Sequence, residues 1–517
     1  MTSFGLVFAI LASGPACWAQ IIFVGDCSDP GCMPPNNPST DFNLASNWMP
    51  AVFPSANESY LIQDARTAEF SSGNTTLGGL TVANDSFGRF RMTGGSLTLL
   101  NNIEPLEVGR ERFPKGKQGD YNNNGFVDAA DYTVWRDTLG QEVLNPGDAA
   151  DGDESGEIDA GDYDFWKDRF GLITKGGEVI MTNSSSLTTN GAVIGRRTKG
   201  LLSVGPDAVV DVQGPLPFST VVRRKDLEVG AYGPAYIAIT NEPGLEADGL
   251  VIVEGTVHAN QLTINVFGAK GELRLLPRGV VNLNGALVLS HCSTEFGFVS
   301  GCGLIANPEP LMSSKLSIIG SGGSFEVGRF DADLSPAPGH DPEIRRDIRS
   351  EYPSTATISF TADADGVTPI VLVDNSAFPG ELTGTAYLDG TVGNEPGSYA
   401  AINLVLDLDA YTGASPLTLI DAPPGHLVGE FNPAVTFLGT TTATVNYDYV
   451  NGDVFLNNFQ SGAGAGAGSG SLAASAVPEP SGLMMTLTLG LLLCSHSARE
   501  RNGSRPGWHR SRGQSLT

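Results

Sequence analysis

A strand-glycine-strand pattern that recurs along the 517-residue chain constrains its fold more than any other feature. Leu80-Thr81-Val82-Ala83, Gly88 and Phe90-Arg91-Met92 share one form with Ala192-Val193-Ile194-Gly195, Gly200 and Leu202-Ser203-Val204. Looser copies run from Leu227-Glu228-Val229-Gly230 to Tyr236-Ile237-Ala238-Ile239, and from Leu262-Thr263-Ile264-Asn265 to Leu273-Arg274-Leu275. Partial copies stand at Leu106-Glu107-Val108-Gly109-Arg110 and Phe325-Glu326-Val327-Gly328-Arg329. Alternation sends one row of apolar side chains inward from each strand, and a unit this short buries that row only by stacking on its neighbours. The expected fold class is mainly β, a right-handed β-solenoid or β-helix. Glycine, 65 residues and roughly twice its usual share, supplies the turns.

The spacing of the copies locates an insertion. Ala83 and Gly109 are 26 residues apart, whereas Gly109 and Gly195 are 86 apart; without residues 114–175 the second spacing falls to 24. Residues 114–175 therefore interrupt a turn of the repeat. They contain 14 Asp and Glu against 6 Lys and Arg. The stretch Asp120 to Asp131 recurs as Asp151 to Asp162, and both place oxygen-bearing groups at positions 1, 3, 5, 7, 9 and 12 of a twelve-residue loop with glycine at position 6. The first set is Asp120, Asn122, Asn124, Phe126 through its carbonyl, Asp128 and Asp131, turning at Gly125. The second is Asp151, Asp153, Ser155, Glu157 through its carbonyl, Asp159 and Asp162, turning at Gly156. Hard oxygen donors at this spacing suit two calcium ions, whose coordination is more flexible than that of magnesium. After each loop, Tyr132, Trp135 and Leu139, then Tyr163, Trp166 and Phe170, recur at helical spacing, so two short helices are expected to pack aromatic faces together and stop at Gly140 and Gly171.

A duplicated calcium loop, each copy followed but not preceded by a helix and with Asp at position 12, resembles a type I dockerin. The resemblance implies two bound calcium ions and a cohesin-like docking partner in polysaccharide-degrading assemblies. The rungs resemble the β-solenoid segments of autotransporter-like surface proteins. Phe42-Asn43-Leu44-Ala45-Ser46-Asn47-Trp48, followed by Pro50 and Pro54, resembles the motif that caps the first rung in such proteins.

Both ends read as processing segments. Residues 1–19 carry an apolar run and small residues before the expected cleavage site, as a secretory signal does. Near the other end, Val477-Pro478-Glu479-Pro480-Ser481 precedes an apolar run and then Arg499, Arg501, Arg505, Arg510 and Arg512. Between Glu479 and Arg499 lie 19 residues without formal charge, long enough as a helix, roughly 28 Å, to cross a bilayer. This order resembles the PEP-CTERM sorting signal, which implies transient membrane anchoring, processing by an exosortase-like enzyme, and a final location at the cell surface or outside it. Cys27 with Cys32 and Cys292 with Cys302 either close small disulfide loops in that oxidising compartment or remain thiols; their spacing suits zinc poorly.

The chain accordingly divides into a signal (1–19), cap and first rungs (20–113), the dockerin-like insertion (114–175), further solenoid (176–330), a linker or long loop (331–353), a β-rich region that either continues the stack or forms a separate sandwich (354–459), a Gly/Ala/Ser linker (460–476) and the sorting segment (477–512). A formal charge of −27, from 57 acidic against 30 basic residues, excludes a nucleic-acid partner, which needs a basic stripe. No HExxH, nucleophile elbow or phosphate loop occurs, and His258, His291, His340 and His426 are isolated in sequence. The favoured function is a non-catalytic surface or matrix scaffold and interaction protein. The alternatives are a polysaccharide lyase or glycoside hydrolase of β-helix type and a carbohydrate-binding adhesin, with extracellular polysaccharide as the partner.

Overall fold

A computed structural model describes residues 21–461 except 25–38, 52–53, 57, 85, 101–104, 111–118, 123–125, 145–148, 154, 172–173, 214–226, 232–247, 267–268, 292–312, 330–346, 351–354, 378–382, 390–400 and 414. The signal, both cysteine pairs, His340 and the sorting segment lie outside the described residues, among which no helix is long and apolar enough to cross a membrane.

Among the described residues the chain is mainly β, with three long sheets of 12, 10 and 11 strands that are parallel except at their ends. The chain visits the sheets in rotation. Gly79–Val82 lies in the first, Gly88–Met92 in the second and Ser96–Leu99 in the third, after which Leu106–Val108 pairs beside Gly79–Val82. The visible repeat thus corresponds to the first two strands of a three-strand rung. The third strand is shorter and, in Ser186–Thr189 or Thr256–Ala259, dominated by Ser, Thr and other weak apolar signals, which is why the pattern passes over it. Inward residues such as Val82, Phe90, Leu97, Ile194, Leu202 and Leu187 are fully buried in one continuous core. Each buried aliphatic side chain contributes on the order of 1.5–3 kcal/mol relative to exposure.

The glycine pattern has a structural cause at the corner between the first and second sheets. Ala83, Gly109, Gly195, Gly230 and Asn265 occupy successive rungs there and all take positive φ, between +66° and +76°. Gly88, Gly177, Gly200, Gly249 and Gly271 stand in register at the first or second position of their strands in the second sheet, and a Cβ on any of them would collide with backbone of the adjoining corner.

Register corrects parts of the repeat alignment. Leu106–Val108 and Phe325–Val327, alike in sequence, belong to the first and third sheets respectively. Tyr236 to Ile239 lie outside the described residues, and the second-sheet place after Leu227–Ala231 is filled by Asp248–Val253. Within 331–353, the stretch read as a linker, Ile348–Ser350 is a strand of the first sheet with Ile348 fully buried. Beyond residue 354 the same three sheets go on through Thr355–Thr361, Ile370–Leu372, Ala386–Tyr387 and Asn403–Asp407, so this region extends the stack. An antiparallel hairpin, Thr441–Asp448 with Asp453–Ser461, ends it.

At the opposite end an aromatic plug closes the core. Phe42 and Trp48 are buried, and Trp48 meets Phe23, Phe42 and Tyr60 edge-on at centroid distances of 4.9–5.1 Å. The indole N–H of Trp48 donates to the Phe42 carbonyl at 2.8 Å, and the Asn47 amide to the Asp41 carbonyl at 2.7 Å.

Candidate metal centre

The duplicated loops leave the stack between Leu106–Val108 and Gly177–Met181, at one corner between the first and second sheets. At other rungs this corner takes as few as the two residues Arg197 and Thr198. The base of the insertion is held by a fully buried carboxylate, Glu107, which pairs with both Arg110 and Arg196. Lys199, at the same corner, holds its ammonium 5.0 Å from the ring centroid of Phe126, tying the first loop to the second sheet.

Each loop runs directly into its helix, α1 (Ala129–Thr138) or α2 (Ala160–Asp168). Position 9 is the N-cap in both: Asp128 accepts from Ala130 N–H and Asp159 from Gly161 N–H, completing a capping box with the position-12 residues Asp131 and Asp162. The two halves exchange hydrogen bonds reciprocally. Trp135 Nε1 donates to the Asp159 carbonyl at 2.8 Å, and Trp166 Nε1 to the Asp128 carbonyl at 2.9 Å. Gly140 N–H donates to Ile158 O and Gly171 N–H to Val127 O, at 2.7 and 2.8 Å, so each helix stop joins position 8 of the opposite loop.

The aromatic faces meet, with Tyr132, Trp135, Tyr163 and Trp166 at centroid distances of 5.1–6.0 Å across the pair. Leu139, 53% exposed, stays outside this cluster, and Phe170, 57% exposed, sits at its margin, edge-on to Trp166 at 5.3 Å. The helices end at Thr138 and Asp168, before the i+7 position, so helical periodicity no longer governs those two side chains. Tyr121, Ala150 and Ile158 form the buried centre instead. Gly152 stands where the first loop has Tyr121 because a Cβ there would lie 2.5 Å from the Tyr121 hydroxyl.

Asp120, Asp131, Asp151 and Asp162, positions 1 and 12 of each loop, are all buried. Their carboxylates organise the loop backbone. Asp131 accepts from the N–H groups of Asn122 and Asp128 at 2.9 and 2.8 Å, and Asp162 from those of Gly152, Asp153 and Asp159 at 2.6, 3.1 and 2.8 Å. Asp151 accepts from Ser155 and Gly156, both at 2.9 Å. One carboxylate oxygen from each of Asp151, Asp153 and Asp162 lies within 4.8 Å of the others. Ser155 donates its hydroxyl to the Glu157 carbonyl at 3.0 Å, joining positions 5 and 7 of the second loop. Asn122, Phe126 and Asp128 take their places in the first loop, whereas Asn124 and Gly125 lie outside the described residues.

Burial pushes the carboxyls of Asp131 and Asp162 above the ordinary range even though backbone N–H groups pull the other way. A carboxylate has about four acceptor positions. The backbone donors leave lone pairs over, in a place where a positive ion would relieve both desolvation and mutual repulsion. An all-oxygen donor set of this kind fits calcium. One further contributor carried no signal in the sequence: the Thr174 hydroxyl donates to Asp120 Oδ2 at 2.7 Å from outside the duplicated segment.

Compared with known proteins, the chain matches no family profile, no curated protein and no solved structure.

Proposed function

We propose that the chain is an exported cell-surface or extracellular-matrix protein, a right-handed β-solenoid scaffold with a two-calcium dockerin-like module at one corner. The reciprocity of the two loops carries this reading: matched N-caps, exchanged tryptophan hydrogen bonds and exchanged helix stops surround buried aspartates at positions 1 and 12. In it Asp120, Asn122, Asn124, Phe126, Asp128 and Asp131 hold one ion, and Asp151, Asp153, Ser155, Glu157, Asp159 and Asp162 the other. Bound calcium supplies charge balance and rigidity, and the scaffold role is non-catalytic. The leader and the PEP-CTERM-like tail support export with processing by an exosortase-like enzyme, and the dockerin-like form supports a cohesin-like partner.

Isothermal titration of the chelator-treated protein tests the metal assignment. Two calcium equivalents are expected, falling to none in the Asp120→Ala, Asp151→Ala double variant. Unchanged stoichiometry in that variant would refute the ligand set.

A further inference from the structure

The outward face of the third sheet changes character along the stack. In-register pairing builds one row, Thr76, Thr98, Thr188, Asp211, His258, Asn282, Glu326, Val371 and Asp421, with neighbours about 4.8 Å apart. The flanking Val210, Val257, Val281 and Phe325 are fully buried, which places this row on the outer side. Threonines occupy its first rungs and charged or amide side chains most of the later ones.

Where the row reaches Glu326, a groove of about 600 Å³ opens beside it. That volume is in the range of small-ligand sites. Glu326, Asp374 and Asp421 provide carboxylates along it, Arg329 a guanidinium and Asn451 an amide, while Val371 and Pro423 contribute apolar surface. Arg329 Nη1 is 3.2 Å from Glu326 Oε2. With the Asn282 amide turned so that its oxygen faces both donors, it accepts from Arg329 at 3.2 Å and from His258 at 3.3 Å, extending the polar network away from the groove. The backbone N–H of Ser376 is the main cause holding Asp374 below the usual carboxylate range, so it is an ionised acceptor at neutral pH.

The donor and acceptor inventory selects the ligand. Ionised carboxylates only accept, guanidinium only donates, and hydroxyl groups answer both. Three carboxylates against one arginine reject an anionic chain, and the arginine in their midst disfavours a polycation. Apolar walls beside fixed polar groups suit a ligand with C–H faces and a hydroxyl rim. We propose that this groove binds a neutral oligosaccharide running along the row of the third sheet. The site adds to the scaffold reading and rests on strand register, independently of the calcium loops.

The test is calorimetric titration of the full-length, calcium-saturated protein with hexasaccharides of β-1,4-glucan, xylan, mannan and β-1,3-glucan, with oligogalacturonate and oligolysine as acidic and basic probes. At least one neutral hexasaccharide is expected to bind, with affinity at least tenfold lower in the Glu326→Gln, Asp421→Asn double variant and unchanged in Asp211→Asn, which lies in the same row outside the groove. Val371→Arg, which fills the groove without removing a carboxylate, is expected to abolish binding while the circular dichroism spectrum stays native. Failure of all four neutral probes, survival of binding in the double variant and in Val371→Arg, or preference for either charged probe would overturn the proposal.

Discussion

Two glycines with nearly the same backbone angle separate the reasons why the corners of this stack need glycine. Gly195 has φ +76° and Gly322 has φ +77°. A Cβ on Gly195 would lie 2.5 Å from the carbonyl oxygen of Asp248 and from Cα of Gly249, whereas a Cβ on Gly322 would meet nothing within 4 Å. Replacing either by alanine costs about 1–2 kcal/mol for the left-handed conformation. Only Gly195→Ala adds overpacking against the backbone of the next rung, on the order of 1–3 kcal/mol. Stability in stacked repeats is a sum of local and nearest-neighbour terms, so the readout has to be local. Native-state hydrogen exchange across Lys199–Val204 and Asp248–Val253 is expected to accelerate roughly 5- to 150-fold more in Gly195→Ala than exchange across Ser324–Val327 does in Gly322→Ala. Equal acceleration in the two variants would show that φ alone selects glycine and that the close approach of successive rungs is not a constraint.

Three further outcomes follow from the module. Calcium at about a hundredfold excess over its dissociation constant should raise the module's apparent stability by about 2.7 kcal/mol per site, read as slower exchange at α1 and α2; no change on chelation would contradict the loop assignment. Because burial raises the carboxyls of Asp131 and Asp162 in the ion-free fold, their contribution is fully present below the ordinary carboxylate pKa and is lost as pH rises through the raised folded values. Helix protection factors in chelator, corrected for the base-catalysed intrinsic exchange rate, should therefore fall as pH rises above the ordinary carboxylate range, while in calcium, which favours the ionised form, they should rise; slopes of one sign in both conditions would count against the proposed metal site. Trp135→Phe and Trp166→Phe each remove one of two matched hydrogen bonds, at about 0.5–1.5 kcal/mol apiece. A loss confined to one variant would deny that the two halves support each other reciprocally.

What could be read from the chain divides by the range of the interactions involved. The duplicated loops were legible because their oxygen-bearing residues recur at the same places within twelve consecutive residues, and the strand-glycine-strand units because alternation and corner sterics act within a few residues. Leu106–Val108 and Phe325–Val327 look alike locally yet lie in different sheets, since assignment to a sheet depends on position around the rung and not on the strand itself. The groove residues were invisible for a related reason. Glu326, Val371 and Asp421 are brought into one row by parallel pairing across loops of unequal length, and no fixed sequence interval marks that row. Thr174 acts on Asp120 and Glu107 on Arg196, both far away in the sequence, and no motif links either pair.

The position of the module follows from the physics of the stack. A parallel rung ends at a corner where backbone hydrogen bonds between strands cease, so extra chain inserted there removes no sheet hydrogen bonds, and closing a longer loop costs only slowly increasing entropy. Gly109 and Gly177 still pair their rung with its neighbours on either side of the insertion: Gly109 N–H donates to Val82 O at 2.9 Å, and Gly177 aligns with both Gly88 and Gly200. The insertion therefore begins and ends on fixed backbone, and Glu107 neutralises the two arginines, Arg110 and Arg196, that converge at its base. Removing that carboxylate would leave two guanidinium groups crowded against each other at a buried corner, a loss typically of 3–5 kcal/mol. A Glu107→Gln protein should thus loosen where the module joins the stack while its loops, held by their own reciprocal bonds, keep the calcium affinity proposed for them; loss of that binding in this variant alone would mean that the corner and the proposed metal centre fold as one unit.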